Sequence, residues 1–184
     1  AHEERNEKVG LLKELQDKYS GTLKGGKLDF KTRKGKVYIE IAQQAKSVNA
    51  DLIIAGTHGV SGFEEFWIGS NAYRIVTNAP CPVITMRHDC NIGDIRKIVI
   101  PIDSSQETRQ KIPVASHIAQ LFNSEIHILS LYSTPLKSVQ KRVDNYAQHV
   151  IDYFEERKIR YVSVKKESEN ITRTAIDYSE SVGA

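Results

Sequence analysis

The chain has 184 residues, enough for one well-buried domain or two small ones, and 40% apolar and 27% charged residues are typical of a soluble globular protein. A net charge of +3 is too small to indicate nucleic-acid binding, and no apolar run approaches the roughly 20 residues that cross a membrane. Cys81 and Cys90 are too few for a disulfide framework, and no histidine spacing beside them indicates zinc. We therefore expect a reduced, cytoplasmic protein that binds neither nucleic acid nor membrane.

The first half of the chain alternates helical and strand patterns. Apolar residues among charges predict an amphipathic helix over 4–19, and a second helix is predicted over 36–48. Between them, "KLDF" at 27–30 predicts a short strand. The apolar run "ADLIIAG" at 50–56 predicts a strand buried on both faces. A short helix from Ser70 and the strand "VITM" at 83–86 follow.

The pattern then restarts. Strands are predicted at "KIVIPI" (97–102), "EIHILSLY" (125–132) and "IRYVSV" (159–164), each followed by a helix, over 106–122, 137–157 and 169–182. Pro113 lies inside the helix at 106–122 and is expected to kink it or to shift its start. Strands that alternate with helices of this length imply βαβ units and a mainly parallel sheet, which is the α/β class.

An internal repeat changes the expected organisation. A shift of 134 residues lays 163–184 on 29–50, matching Lys165 with Lys31 and Ser181 with Ser47, and the helix, strand and helix patterns coincide. The repeat predicts that the chain is a segment of a protein with two tandem domains of the same fold. In this segment, 1–88 is the C-terminal part of the first repeat, 89–96 is a linker, and 97–184 is the N-terminal part of the second. The repeat places a second copy of the sequence "DLIIAGTHG" directly after Ala184.

The loop "GTHGVSGFEEFWIGS" at 56–70 is the strongest candidate site. Gly56 ends a predicted strand, where open parallel sheets bind ligands, and Gly59 lacks a β-carbon that would keep a ligand from the backbone. Gly69 and Ser70 begin a helix, whose free N–H groups and dipole favour an anion. From the residues alone, a phosphate cradle and a simple turn remain equally open. The spacing is neither a Walker loop nor a dinucleotide fingerprint.

Neither of two notable histidines is expected to be catalytic, although His58 invites an acid–base interpretation. His58 has no partnering carboxylate or nucleophile in the motif, so we expect a hydrogen bond within the loop. His127 lies on a predicted strand and is expected to be a packing residue.

The pattern Gly56-x2-Gly59-x9-Gly69-Ser70, preceded by "ADLIIAG" and followed by "APCPVITMR", resembles the signature of the universal stress protein family. The restart "KIVIPIDSS", with Asp103 at its end, resembles the first strand of that family. The resemblance covers nearly the whole chain, as the back of one domain followed by the front of the next.

The resemblance implies a Rossmann-like α/β domain with a parallel five-stranded sheet, strand order 3-2-1-4-5, and helices on both faces. It also implies ATP binding, with or without Mg²⁺, or binding of AMP. By this resemblance, the residues that would bind the phosphate end of the nucleotide are Gly56, Gly59, Gly69, Ser70 and Asn71. Asp103 would contact the adenine, helped by backbone near Leu131.

The glycine loop and the aspartate belong to different repeats, so the chain carries two half-sites. The leading hypothesis is an ATP-binding regulatory stress-response protein without a committed catalytic mechanism, assembled as a homo-oligomer such as a homodimer. The sequence leaves open whether the protein hydrolyses ATP slowly. The alternative is a scaffold or dimerisation domain of the same fold with an empty site. The intact glycine motif favours the first.

Overall fold

A computed structural model describes residues 2–56, 69–86 and 95–184 of the chain. The chain divides into two compact units, Ala1–Cys90 and Asn91–Ala184. Both units combine helices with parallel strands, which confirms the α/β class. None of the helices within the described ranges has both the length and the apolar character needed to cross a bilayer.

The first unit contains a two-stranded sheet. Its elements in chain order are α1 (His2–Ser20), α2 (Val37–Ser47), β1 (Ile53–Gly56), α3 (Ser70–Asn78) and β2 (Val83–Met86). β1 and β2 are parallel, with Ile53 opposite Val83. The small core of this unit is formed by Ala45 of α2, Ile53 of β1 and Ile75 of α3. α2 and α3 therefore cover the same face of the two strands.

The second unit contains a three-stranded sheet in the order β3-β4-β5. Its elements are β3 (Lys97–Ile102), a 3₁₀ turn (Gln106–Arg109), α4 (Ile112–Phe122), β4 (Glu125–Tyr132), α5 (Lys137–Glu156), β5 (Tyr161–Glu167) and α6 (Ile171–Val182). Both strand pairs are parallel. α6 begins with an Asn170 side chain that accepts the backbone N–H of Arg173 at 2.9 Å, and it ends at Gly183 with φ +68°.

The central strand β4 is buried on both faces, and two cores form around it. On one face, Ile126 and Ile128 pack with α4 and α5, where Phe154 is fully buried. On the other face, Leu129 and Leu131 pack against Tyr178 of α6. Burial on both faces explains why the apolar residues of β4 do not simply alternate with polar ones, since Ile126 and Ile128 enter one core and Leu129 and Leu131 the other.

Proline shifts the start of one helix. The predicted helix over 106–122 is a 3₁₀ turn followed by α4, and Pro113 occupies the first turn of α4. Proline is tolerated there because the first N–H groups of a helix have no intrahelical partner. The expected shift of the start is confirmed.

Two expectations need correction. The described strands form two sheets, of two and three strands, and not one five-stranded sheet, although every observed neighbour pair agrees with the implied strand order. The predicted strand over 27–30 is also absent. Alternating apolar residues do not make a strand unless a neighbouring strand supplies hydrogen bonds, and no strand within the described ranges pairs with residues 27–30.

The two-sided burial of β4 gives a direct stability test. Leu129→Ala should lower the free energy of unfolding of the second unit by about 2–5 kcal/mol, because Leu129 is fully buried and leaves a cavity. The matched control Leu121→Ala, at a side chain 68% exposed, should change it by about 0.5 kcal/mol or less. Urea unfolding followed through the amide NMR signals of the second unit measures both. Equal effects of the two variants would contradict this packing.

Candidate functional site

Asp103 and Leu131 lie side by side at the carboxyl edge of the second sheet. Ile102 of β3 is in register with Ser130 of β4, and Asp103 and Leu131 each follow one residue later on these neighbouring strands. The Leu131 side chain is buried against α6. The side chain is therefore not a ligand contact, and the resemblance implies a role for the backbone near Leu131 alone.

Hydrogen bonds hold the Asp103 carboxylate in the turn that follows β3. Its Oδ1 accepts the backbone N–H of Ser105 at 3.0 Å and the Ser105 hydroxyl at 2.6 Å. The backbone N–H of Asp103 donates to Oγ1 of Thr108 at 3.1 Å, and the Thr108 hydroxyl donates to the Pro101 carbonyl at 3.3 Å. Because Thr108 is buried, these bonds tie the turn to the core.

The same environment keeps the carboxylate charged. Burial raises the pKa of Asp103, but hydrogen bonds from Ser105 and Thr108 and the positive charge of Lys111 together lower it further, so the net pKa lies below the ordinary 3.8. The pKa of Lys111 is also lowered, because partial loss of water outweighs the attraction of Asp103. At neutral pH Asp103 is therefore an ionised, acceptor-only group. It suits a ligand group that donates, such as an exocyclic amine.

The glycine motif is partly described in the first unit. Gly56 ends β1 in register with Met86, and Gly69 is the N-cap of α3, where its carbonyl accepts the backbone N–H of Tyr73 at 3.0 Å. Gly59 and His58 lie outside the described residues. No side chain caps α3 through Gly69, and no acidic residue occupies its first turn. Ser70 and Asn71 are exposed there, at a helix start whose dipole favours an anion.

The predicted site residues thus fall into two groups. Asp103 and Leu131 are brought together in the second unit, whereas Gly56, Gly69, Ser70 and Asn71 belong to the first. Sequence reasoning missed Ser105, Thr108 and Lys111, which surround Asp103. A signal was present for Ser105, because Asp-Ser-Ser directly after a strand is typical of a turn closed by the aspartate side chain.

His127 is a packing residue, as predicted. It is buried, with Nδ1 2.7 Å from the Tyr178 hydroxyl and Nε2 3.2 Å from Oε1 of Glu125. Both ring nitrogens are used by these contacts. Across the described ranges, the histidine, cysteine and acidic side chains form no group of three that could hold a metal ion.

Comparisons with known proteins agree on one family. A model of the Universal stress protein family matches residues 1–87. A universal stress protein of Methanocaldococcus jannaschii is 33% identical over 85 residues, which are 46% of this chain and 47% of that protein. A putative universal stress protein of Staphylococcus aureus strain USA300 is 46% identical over 43 residues, 23% of this chain and 26% of that protein. The chain spans less than half the length of the curated relatives it matches.

Solved structures show the same fold at lower identity. The crystal structure of a universal stress protein from Archaeoglobus fulgidus matches 100% of this chain and 66% of its own, with a TM-score of 0.76 and 17% identity. A putative universal stress protein from Pseudomonas aeruginosa matches 92% of this chain and 63% of its own, with a TM-score of 0.65 and 17% identity. At this identity the structures establish the fold alone.

The hydrogen bonds from Ser105 predict how Asp103 titrates. Ser105→Ala removes the hydroxyl that donates to Oδ1 and should raise the pKa of Asp103 toward its ordinary value. A carboxyl whose folded pKa is depressed stabilises the fold above its unfolded pKa, and this stabilisation is lost as the pH falls through the folded pKa. In the variant this stabilisation should therefore be smaller, and its loss should be complete at a higher pH than in the wild type, in the acid range below 3.8.

Carboxyl ¹³C NMR titration measures this pKa directly. Ser104→Ala, a serine-to-alanine change at the neighbouring position, is the matched control and should leave the pKa of Asp103 unchanged. An identical shift in both variants would show that the turn as a whole, and not the Ser105 hydroxyl, sets the charge of Asp103.

Proposed function

We propose that the chain is an ATP-binding regulatory protein of the stress response, on the ground that residues 1–87 match the universal stress protein family. It holds the nucleotide, ATP or AMP, without a committed catalytic mechanism. We further propose that it works in the cytoplasm as a homo-oligomer. The observation that carries the proposal is the ionised Asp103 beside the Leu131 backbone at the carboxyl edge of a parallel sheet.

The second unit supplies the groups that suit the base. The Asp103 carboxylate accepts from the adenine amino group, while backbone groups near Leu131 present both donors and acceptors to the ring edge. The bonds from Ser105 keep the carboxylate in one orientation before a ligand arrives. This arrangement reduces the loss of side-chain freedom on binding.

The first unit supplies the groups that suit the phosphates. Gly69 and Ser70 present the N-terminus of α3, and its dipole favours an anion by roughly 0.3–1 kcal/mol. The exposed Ser70 hydroxyl and Asn71 amide add two hydrogen-bonding groups. Side chains of Glu or Asp, which would repel phosphate, are absent from the first turn of α3.

Magnesium would enter this site on the phosphates of the nucleotide. The described residues form no group of three acidic, histidine or cysteine side chains that could hold a metal, and Mg²⁺ on the phosphates would neutralise their charge. The proposed role of the protein is to bind and orient the nucleotide.

Calorimetric titration of ATP into the chain tests the proposal. Saturable binding is expected, and Gly69→Val should abolish it, because a branched side chain at the N-cap covers the N–H groups of α3. Asp103→Asn should weaken binding on the order of 10-fold or more, because a charged acceptor is lost. Asp177→Asn, at a half-exposed aspartate of α6, is the matched control and should bind as the wild type does.

The choice of nucleotide separates the two functional hypotheses. If Asp103 contacts the base, the wild type should bind ATP more tightly than inorganic triphosphate. In Asp103→Asn the two affinities should be similar. A folded chain that takes up no ATP, AMP or triphosphate would instead support the scaffold or dimerisation domain.

A further inference from the structure

The second unit contains a polar cleft that the proposed nucleotide site does not use. Two cavities, of about 290 and 330 Å³, lie at the carboxyl ends of β4 and β5, beside the first turns of α5. Both are lined by Tyr132, Gln140 and Glu167, so they form one continuous space, the β4–β5 cleft. Asp103 and Leu131 line neither cavity. The cleft is therefore separate from the groups that suit a base.

An ionised carboxylate forms the wall of the cleft on the α5 side. Oδ1 of Asp144 accepts the Lys165 ammonium at 2.6 Å and the Tyr132 hydroxyl at 2.7 Å. The hydrogen bonds from Lys165 and Tyr132 lower the pKa of Asp144, so this group is charged at neutral pH. Both bonds fall on the same oxygen, which leaves Oδ2 to accept from a ligand.

The cleft carries more negative than positive charge. Glu167 and Glu169 also line it, and neither carboxylate forms a hydrogen bond or an ion pair with a described residue. Lys166 lines the cleft too, but its ammonium lies over the Tyr178 ring of α6, 5.4 Å from the ring centroid, on the opposite face of the sheet. Three carboxylates therefore line the cleft against the one ammonium of Lys165.

A buried hydroxyl lies at the inner end of the cleft. Ser130 is wholly buried, and its Oγ forms no hydrogen bond with any described residue. Side chains alternate along a strand, so Ser130 points to the same face of β4 as Tyr132, and it is in register with Lys165 of β5. Buried polar groups nearly always have a partner. The Ser130 hydroxyl is therefore an acceptor that a donor entering beside Lys165 would satisfy.

The placement of the carboxylates distinguishes between kinds of cation. Asp144 lies on α5, Glu167 ends β5, and Glu169 lies in the turn that follows. Within the described ranges, no three acidic, histidine or cysteine side chains converge so as to hold a metal ion. Separated negative charges instead complement a linear cation whose positive charges are also separated. Aliphatic polyamines have this form, and a terminal ammonium supplies three donors.

We propose that the β4–β5 cleft binds an aliphatic polyamine. One terminal ammonium binds Asp144 next to Lys165, and the other positive charges of the ligand bind Glu167 and Glu169. The Lys165 and Asp144 side chains are 63% and 43% exposed, and exposed ion pairs of this kind are weak. Their bond therefore opens at little cost, which lets a donor approach Ser130.

Calorimetric titration of spermidine into the full chain tests the proposal. Saturable binding is expected, with amide NMR shifts confined to 132–144 and 165–169. The double variant Asp144→Asn/Glu167→Gln should weaken binding on the order of 10-fold, because two charged acceptors are lost. Glu167→Gln alone should weaken it about 2–5-fold. That carboxylate is exposed and has no described partner, so its loss leaves the fold intact.

A matched variant and a second cation make the result specific. Asp177→Asn/Glu180→Gln removes the same two charges from exposed positions of α6 and should bind spermidine as the wild type does. Mg²⁺ at equal charge concentration should not displace spermidine. Equal weakening by the two double variants would show that net charge alone attracts the ligand and would overturn the proposal. Displacement by Mg²⁺, or the absence of saturable binding, would also overturn it.

Discussion

The burial of β4 on both faces is the constraint on which the described second unit depends. A strand covered on two sides needs a partner along each edge and a helix on each face, since every buried N–H and carbonyl must be paired. β3 and β5 supply the edges, α4 and α5 cover one face, and α6 covers the other. The first unit has no described strand in the equivalent position. Its α1 and α2 are correspondingly exposed, and its segment 27–33 remains outside any sheet.

The same constraint positions the candidate site. Because β3 and β4 are parallel and in register, their carboxyl ends meet at one edge, and Asp103 and the Leu131 backbone become neighbours there. The turn after β3 then adds hydrogen bonds and a positive charge around the Asp103 carboxylate. Ser105 and Thr108 bond to Asp103, and Lys111 contributes positive charge, so the carboxylate stays ionised although it is partly buried. Packing, turn geometry and electrostatics therefore act on one residue.

The two groups of proposed binding residues differ in physical character. Around Asp103 the protein offers an oriented charge, suited to a donor on a flat base. At Gly69 and Ser70 it offers a helix N-terminus without a competing side-chain cap, suited to an anion. A nucleotide presents both kinds of group, so each set of residues by itself suits one part of a nucleotide. The match between residues 1–87 and the universal stress protein family model is consistent with this assignment.

Local chemistry made much of this protein predictable from its sequence. Apolar periodicity predicted the helices and all five observed strands to within a few residues, Pro113 predicted the later start of α4, and the glycine motif predicted the family. Asp103 and Leu131 were found because the ends of parallel strands coincide. Ser105, Thr108 and Lys111 were not found, because their importance depends on how the turn after β3 folds back onto Asp103.

What the sequence by itself determined was therefore the order and type of the elements, since helix and strand periods are written in consecutive residues. What only the tertiary structure decided was which elements acquired partners. Residues 27–30 carry a strand pattern as clear as that of β5, yet only β5 is a strand. The physical reason is that a strand is completed by hydrogen bonds to a neighbour distant in the chain, and no local pattern contains that neighbour.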